Sequence, residues 1–323
     1  MKVLVIGGAG FTGFHLSRHL ADENQQVIIC DNLSKGSMDG DFNQLVMRDN
    51  VEFIQIDLTQ RGELDKLNGD IDIIYHLAAI SGVRYFYEMP HEVLRVNILL
   101  LMNTLDWLAG TNCKRVVWAS SAEVYAGIEN LIDIPIPTPE KVPLVIADVY
   151  NPRFSYAGSK IIGELFCLHY AKAYDLNVTI VRPSNIYGPR MGYDQVIPQF
   201  IRRILLGEDP FKIYGGNQIR AFCFVDDFVR GMKLIGQASD IGGEIINLGN
   251  GKEEIGIKAL ADKMFNLFHY HPRVEVLPAP EGSVKRRAPD TSKAKALVGY
   301  EPQIDLDEGL KVTYDWYVKN LSR

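Results

Sequence analysis

The stretch that most constrains the fold of this chain is its beginning, where the run Lys2 to Ile6 passes directly into Gly7-Gly8-Ala9-Gly10-Phe11-Thr12-Gly13. A strand apolar along its length is covered on both faces, which is the situation in a parallel sheet flanked by helices. The glycines satisfy G-x-x-G-x-x-G (Gly7, Gly10, Gly13) and G-x-G-x-x-G (Gly8, Gly10, Gly13) together. In such a loop a Cβ would block the tight turn, the approach of backbone to a pyrophosphate, or the packing of helix on strand. A helix to about Asp22 is predicted to follow, with free N–H groups and the positive end of its dipole turned to an anion. A glycine motif alone says little; a buried strand before it and a helix after it give it meaning.

The apolar run recurs at 27–30, 51–56, 71–75, 115–118 and 178–181, with helical stretches between several of them. This alternation predicts an α/β fold, a doubly wound parallel sheet. After Arg182 the regularity decays: breaks at Gly188-Pro189 and Gly215-Gly216 separate a helix around Gln195 to Leu206 from a short run Arg220 to Val225. Residues 1–182 are therefore expected to form a dinucleotide-binding lobe. Residues 183–323 are expected to form mainly a smaller substrate-binding lobe, with late segments free to return to the first. Pro135, Pro137, Pro139 and Pro143 exclude a helix there and mark a long loop, read as a lid or a substrate wall. The helical stretches Asn97 to Leu108 and Lys160 to Tyr174 carry apolar residues on more than one face. Such helices must be covered on both sides, either by a second copy in a homodimer or by the chain's own loops.

Composition narrows the ligand classes. A formal charge of −6 over 323 residues leaves no basic surface for nucleic acid, so an anionic ligand has to be held locally. No apolar run approaches the ~18 residues of a membrane span, and Val3 to Ile6 is too short for a signal peptide. Cys30, Cys113, Cys167 and Cys223 lie far apart without metal or disulfide spacing. They read as buried filler in a cytoplasmic protein that binds no metal.

Asp31 ends the second strand about twenty residues beyond the glycine loop, where a carboxylate accepts hydrogen bonds from an adenosine 2′-hydroxyl and repels a 2′-phosphate. That favours NAD over NADP, with Lys35 nearby as the one feature in the other direction; a solvated turn aspartate is the plainer alternative. Asp57 either reaches the adenine or caps the turn from Thr59. Tyr156 and Lys160, four residues apart, lie on one helical face. A phenol is useless as a base at neutrality unless nearby positive charge lowers its pKa, and the ammonium together with the nicotinamide of NAD is expected to do so. Ser120 and Ser121 follow a strand at the carboxyl edge of the sheet and can either orient a substrate alcohol or make local turn bonds.

Taken together, the motifs resemble an extended short-chain dehydrogenase/reductase of the nucleotide-sugar epimerase/dehydratase family, nearly end to end. They are the GGAGFTG loop, His76-Leu77-Ala78-Ala79, Ala119-Ser120-Ser121-Ala122-Glu123-Val124-Tyr125, Tyr156 to Lys160, Arg182 to Arg190, Arg220 to Asp227 and Arg287-Ala288-Pro289-Asp290. The resemblance implies about seven strands in a Rossmann-like lobe and oxidation of a nucleotide-linked sugar, usually at C4. It implies NAD held by Gly7, Gly10, Phe11, Thr12, Gly13, Asp31, Asn32, Asp57, Leu58, Leu77, Ala78, Ala79, Tyr156 and Lys160. Ser121 and Tyr156 become catalytic hydroxyls, Lys160 holds the nicotinamide ribose, and Glu123 matches a glutamate used near C5. Asn185 and Arg84 would contact substrate and Arg220 and Arg287 its diphosphate, with Arg286 the candidate one position away.

Two departures matter. Ala126 replaces the usual glycine after Val-Tyr, and Ala122 stands where hexose dehydratases carry an acid. An alanine cannot protonate a departing hydroxyl, so C4 redox chemistry without loss of water is expected, most simply a 4-epimerisation. Gly82-Val83-Arg84-Tyr85 resembles uronate 4-epimerases, whereas the regions of Met191 and Arg220 resemble uronate decarboxylases. A net 4-dehydrogenase releasing NADH, a dehydratase or decarboxylase, and a non-catalytic dinucleotide sensor are the alternatives.

Overall fold

The computed structural model of the chain describes residues 1–67, 70–113, 115–279 and 283–320. Its first part runs β1 (Lys2–Ile6), α1 (Phe11–Asp22), β2 (Gln26–Asp31), α2 (Gly40–Val46), β3 (Val51–Gln55), β4 (Ile73–His76), α3 (Val83–Glu88), α4 (Pro90–Ala109), β5 (Arg115–Ala119), α5 (Phe154–Tyr174) and β6 (Asn177–Pro183). The rest runs β7 (Ile186–Tyr187), α6 (Val196–Leu205), β8 (Phe211–Tyr214), β9 (Ile219–Ala221), β10 (Cys223–Phe224), α7 (Val225–Gln237), β11 (Ile245–Leu248), β12 (Glu254–Gly256), α8 (Ile257–Leu267), β13 (Val274–Leu277), β14 (Arg286–Arg287), α9 (Ser292–Val298) and α10 (Leu306–Asn320).

The main sheet has seven strands in the order β11-β6-β5-β4-β1-β2-β3, all paired in parallel. Strand order reverses between β1 and β4, and it is at such a point, beyond the carboxyl ends of the strands, that open α/β sheets bind ligands. Successive strand residues serve opposite faces. Val3, Val5, Val27 and Ile29 join Phe14, Leu16, Phe228 and Met232 in one core; Leu4, Ile6, Ile28 and Cys30 join Leu101, Leu105, Leu108 and Cys167 in the other. The helices α1 and α7 thus cover one face and α4 and α5 the other, which is why the strands read as unbroken apolar runs.

The chain beyond residue 182 is divided. Ile245–Leu248 returns to the main sheet beside β6, while β8 with β13, and β9 between β12 and β14, make small sheets outside it. The run Arg220 to Val225 is not one strand: β9 and β10 join different sheets. Periodicity missed β11 because it is short and carries Asn247. That residue is fully buried and fully engaged, accepting from Tyr125 Oη at 2.7 Å and donating to the Thr138 carbonyl at 3.0 Å.

Beneath the sheet's carboxyl edge, Arg182 is 2% exposed and donates to Glu164 at 2.8 and 2.6 Å and to Tyr125 Oη at 2.7 Å. Ser120 donates to the same glutamate at 2.7 Å. The proline loop is stapled to this framework: Thr138 N donates to the Ala288 carbonyl, Asp290 N to the Thr138 carbonyl, and Glu140 accepts from Asn247 N. With those bonds made it is no lid, and none of its prolines lines either large cavity.

Candidate active site

The glycine loop does what its composition requires. Gly7 has φ +84°, and a Cβ there would stand 2.6 Å from Ala78 N; one on Gly13 would stand 2.1 Å from the Gly7 carbonyl oxygen. Gly10 begins α1 without a side-chain cap, so the first-turn N–H groups face a cleft of about 470 Å³. Gly7, Gly10, Phe11, Thr12, Asp31, Asn32, Leu58, Leu77, Ala78 and Ala79 line it. Gly13 contributes close packing, and Asp57 is not in the lining: its carboxylate accepts from Thr59 N at 3.0 Å and Oγ1 at 2.9 Å.

Asp31 accepts from Leu33 N at 2.8 Å and Ala9 N at 3.1 Å, tying β2 to the glycine loop, while burial pushes its carboxyl up. Lys35 donates to the Ser81 carbonyl and lies 4.7 Å from the Tyr85 ring centroid, so its ammonium is already engaged. Arg190, unforeseen in the sequence, lines the same cleft, stacks 4.0 Å from the Phe14 ring centroid and pairs with Asp39 at 2.7 Å. A Cβ-free cradle at a helix N-terminus with a carboxylate at the end of the next strand fits a dinucleotide pyrophosphate and its adenosine ribose.

A second cavity, about 590 Å³, meets the first at Met191, Asp194 and Gln195. Arg84, Glu123, Arg153, Asn185, Arg220 and Arg287 are among its lining. Asn185 takes φ +46°, a region asparagine tolerates better than most residues, and donates to the Ala221 carbonyl at 3.0 Å. Arg84 is more than half exposed and lies 3.4 Å from Glu88. The register at the chain's late arginines is unambiguous, because Arg287 faces the cavity while Arg286 points outward to Glu254 at 2.7 Å.

Tyr156 is buried and lines neither cavity. Its ring stacks on Phe86 at 5.0 Å, in a small cluster against which Ala79 and Ile80 of the first cleft pack, and its oxygen is hydrogen-bonded with Ser121. Ser121 Oγ also accepts from Glu123 N at 3.1 Å, capping the 3₁₀ turn Ala122–Tyr125. Ser120 points away, to Glu164. Lys160 donates to the Ala119 carbonyl at 2.7 Å and lies 4.7 Å from the Trp118 ring centroid and 5.7 Å from that of Tyr156.

Two electrostatic expectations need correction. Within the chain Tyr156 is not lowered; burial pushes its phenol up, and Lys160, itself brought down to about 8 by burial, does not reverse this. Desolvation disfavours both charged forms, and Lys160 spends a hydrogen bond on Ala119. Glu123 is not a free base. Arg287 at 2.5 Å and Arg153 at 3.5 Å hold its carboxyl down at about 2. Arg153, three residues before Tyr156, and Glu129, six after Glu123, were not singled out. Their signal was charge inside otherwise apolar or turn-forming sequence.

A doubly wound sheet with a glycine cradle at its switch point and a Ser–Tyr–Lys set whose tyrosine and lysine are buried defines a dinucleotide-dependent enzyme of the short-chain dehydrogenase/reductase type. Residues 3–249 match the model of the NAD dependent epimerase/dehydratase family. The chain belongs to that family and is an NAD-dependent enzyme. It is 34% identical over 325 residues to a UDP-glucuronate 4-epimerase of Thermodesulfobacterium geofontis, covering 98% of this chain and 96% of that protein. A UDP-N-acetyl-alpha-D-glucosaminuronate decarboxylase of Bacillus cytotoxicus is also 34% identical, over 98% of this chain and 97% of that one. Among solved structures, the UDP-glucuronic acid 4-epimerase of Bacillus cereus, in complex with UDP-glucuronic acid and NAD, superposes with a TM-score of 0.87 at 29% identity, over 99% of this chain and 100% of that one.

Proposed function

We propose that the chain oxidises a UDP-linked sugar at C4 and then reduces the 4-keto intermediate, with 4-epimerisation as the net result. One observation carries this reading: Tyr156 packs with Ala79 and Ile80 of the dinucleotide cleft and hydrogen-bonds with Ser121, whose Oγ caps the turn that brings Glu123 into the arginine-lined cavity. Bound NAD supplies the hydride acceptor and donor. Tyr156 takes the proton of the C4 hydroxyl, Ser121 orients that hydroxyl, and Lys160 adds positive charge to the same face. Burial raises the phenol, so proton abstraction by Tyr156 would need positive charge beyond that of Lys160, of the kind an oxidised nicotinamide would supply. Arg220 and Arg287 hold diphosphate oxygens, where permanently charged planar donors are effective.

Decarboxylation is a second reading, favoured by the arginines at Glu123. Oxidising a uronate at C4 creates a β-keto acid, and three guanidiniums (Arg153, Arg220, Arg287) facing two carboxylates leave positive charge for a sugar carboxylate. Dehydration is disfavoured by Ala122, which is buried and has no proton to give. The test is a mass-spectrometric and NMR screen against UDP-, GDP-, CDP- and dTDP-linked hexoses and hexuronates. Inversion at C4 without change of mass is the expected result; loss of carbon dioxide selects the second reading. NADH accumulating in step with substrate selects net dehydrogenation, and NAD binding with a silent panel selects a sensor.

The reading includes a homodimer formed through α4 and α5, where Ile162 and Leu165 are exposed. It also includes a reducing, cytoplasmic setting, in keeping with four buried, unpaired cysteines. No helix among the described residues is long and apolar enough to cross a membrane.

A further inference from the structure

Arg287 stands between two carboxyl groups. Its Nη1 donates to Glu123 Oε1 at 2.5 Å, and its Nη2 lies 3.9 Å from Glu129 Oε2. Glu123 lines the substrate cavity; Glu129, on the 3₁₀ turn Ile128–Asn130 and 7% exposed, does not. Neither oxygen of Glu129 has a hydrogen-bond partner among the described residues, and neither do Nε and Nη2 of Arg287. Buried polar atoms nearly always find partners. Four open positions on two facing side chains mark hydrogen bonds that this ion pair, 3.9 Å apart with Arg287 turned to Glu123, can make and does not.

The guanidinium fork allows the exchange. Nε and Nη2 form one edge of it, and Nη2 is already the atom nearest Glu129, so a small side-chain rotation sets that edge on the carboxylate. The charged groups facing Glu129 are Arg287, Glu123, Arg220 and Arg153. Burial raises Glu129 while Arg287 and Arg153 hold Glu123 low, so the carboxyl group with the guanidinium is ionised and the one without it favours its proton.

We propose that Glu129 is a positioning residue, the partner that takes the Nε–Nη2 edge of Arg287 as substrate enters, so that Nη1 leaves Glu123 for the diphosphate and the Glu123 carboxyl group is released to the sugar. A nucleotide sugar brings negative charge into the cavity, which disfavours an ionised Glu123 and favours a protonated one able to donate. Charge balances: Arg287 stays cationic, Glu129 gives up a proton as it accepts the guanidinium, and Glu123 takes one up. The proposal rests on the reading that this cavity takes a nucleotide sugar.

The experiment is infrared difference spectroscopy of the NAD-loaded protein on adding UDP-glucuronic acid, with pH profiles of kcat beside it. The expected spectrum loses the carbonyl band of one protonated carboxyl group, absent in Glu129→Gln, and gains another, absent in Glu123→Gln. Kinetically, Glu129→Gln should keep KM and the melting temperature, lose one ionisation from the kcat profile and slow turnover between about tenfold and hundredfold. Glu129→Asp should restore the ionisation and part of the rate, and serves as the comparison if the Gln variant does not fold. A spectrum without a Glu129-dependent band, whether the ligand binds or not, overturns the proposal, as does a Glu129→Gln variant with the wild-type profile. If no sugar is turned over, the reaction reading fails, while the band on binding still decides the role of Glu129.

Discussion

Burial dominates both Tyr156 and Lys160, and it acts on the phenol and on the ammonium in opposite directions on the pKa scale but to one effect, favouring neutrality. In the proposed reading Tyr156 therefore acts as a base only with charge delivered beside it. Tyr156→Phe removes the titrating oxygen and little else, so turnover should fall by ~10² to 10⁴. NAD affinity, measured by calorimetry, should stay within a few-fold, because the cradle is built from Gly7 to Thr12 and Asp31. Asp31 accepts backbone bonds from Ala9 and Leu33, and in the proposed reading it also selects NAD. Asp31→Asn keeps an acceptor for the backbone and removes the charge. It should weaken NAD about tenfold and bring NADP closer, since attraction and repulsion leave together; equal affinities in the wild type would sink this. As candidates they were legible in the sequence, Asp31 from its place at the end of the second strand and Tyr156 with Lys160 from their spacing of four on one helix. Their protonation was not, because it depends on desolvation by distant parts of the chain such as Phe86.

Elements positioned by apolar periodicity were legible to within a few residues, β1 to β6 among them. β11 was not, since four residues carrying a buried asparagine have no pattern of their own; they pair with β6, and the asparagine is satisfied by Tyr125 and Thr138, far away in sequence. The same framework explains the Arg182 and Ser120 motifs, which hold β5, β6 and α5 together rather than touching substrate. Removing one member of a buried ion pair strands the other. Glu164→Gln should thus cost about 3–5 kcal/mol in urea denaturation, with NAD affinity reduced only as far as the folded population falls. A loss under 1 kcal/mol, roughly the worth of an exposed pair, would mean Arg182 is satisfied by Tyr125 and the Glu140 carbonyl alone.

At the scale of the whole molecule, the helices α4 and α5 meet along most of their length, and Tyr170 reaches across to Asp106 at 2.8 Å. This mutual packing covers much of the apolar surface whose breadth suggested a partner, as the chain's own cover. Some is left over: Ile162 is 37% and Leu165 53% exposed, three residues apart and so on one face of α5. A two-fold contact would use that face twice, each helix pair against its copy, closing the surface without leaving a second sticky edge. Leu165→Asp places a charge in the centre of such a contact and is nearly neutral on a solvated helix face. The wild type should sediment as a dimer at micromolar concentration and the variant as a monomer with unchanged circular dichroism and NAD affinity. A monomeric wild type would remove the homodimer from this reading, while leaving the site intact, since every group placed in it here comes from a single chain.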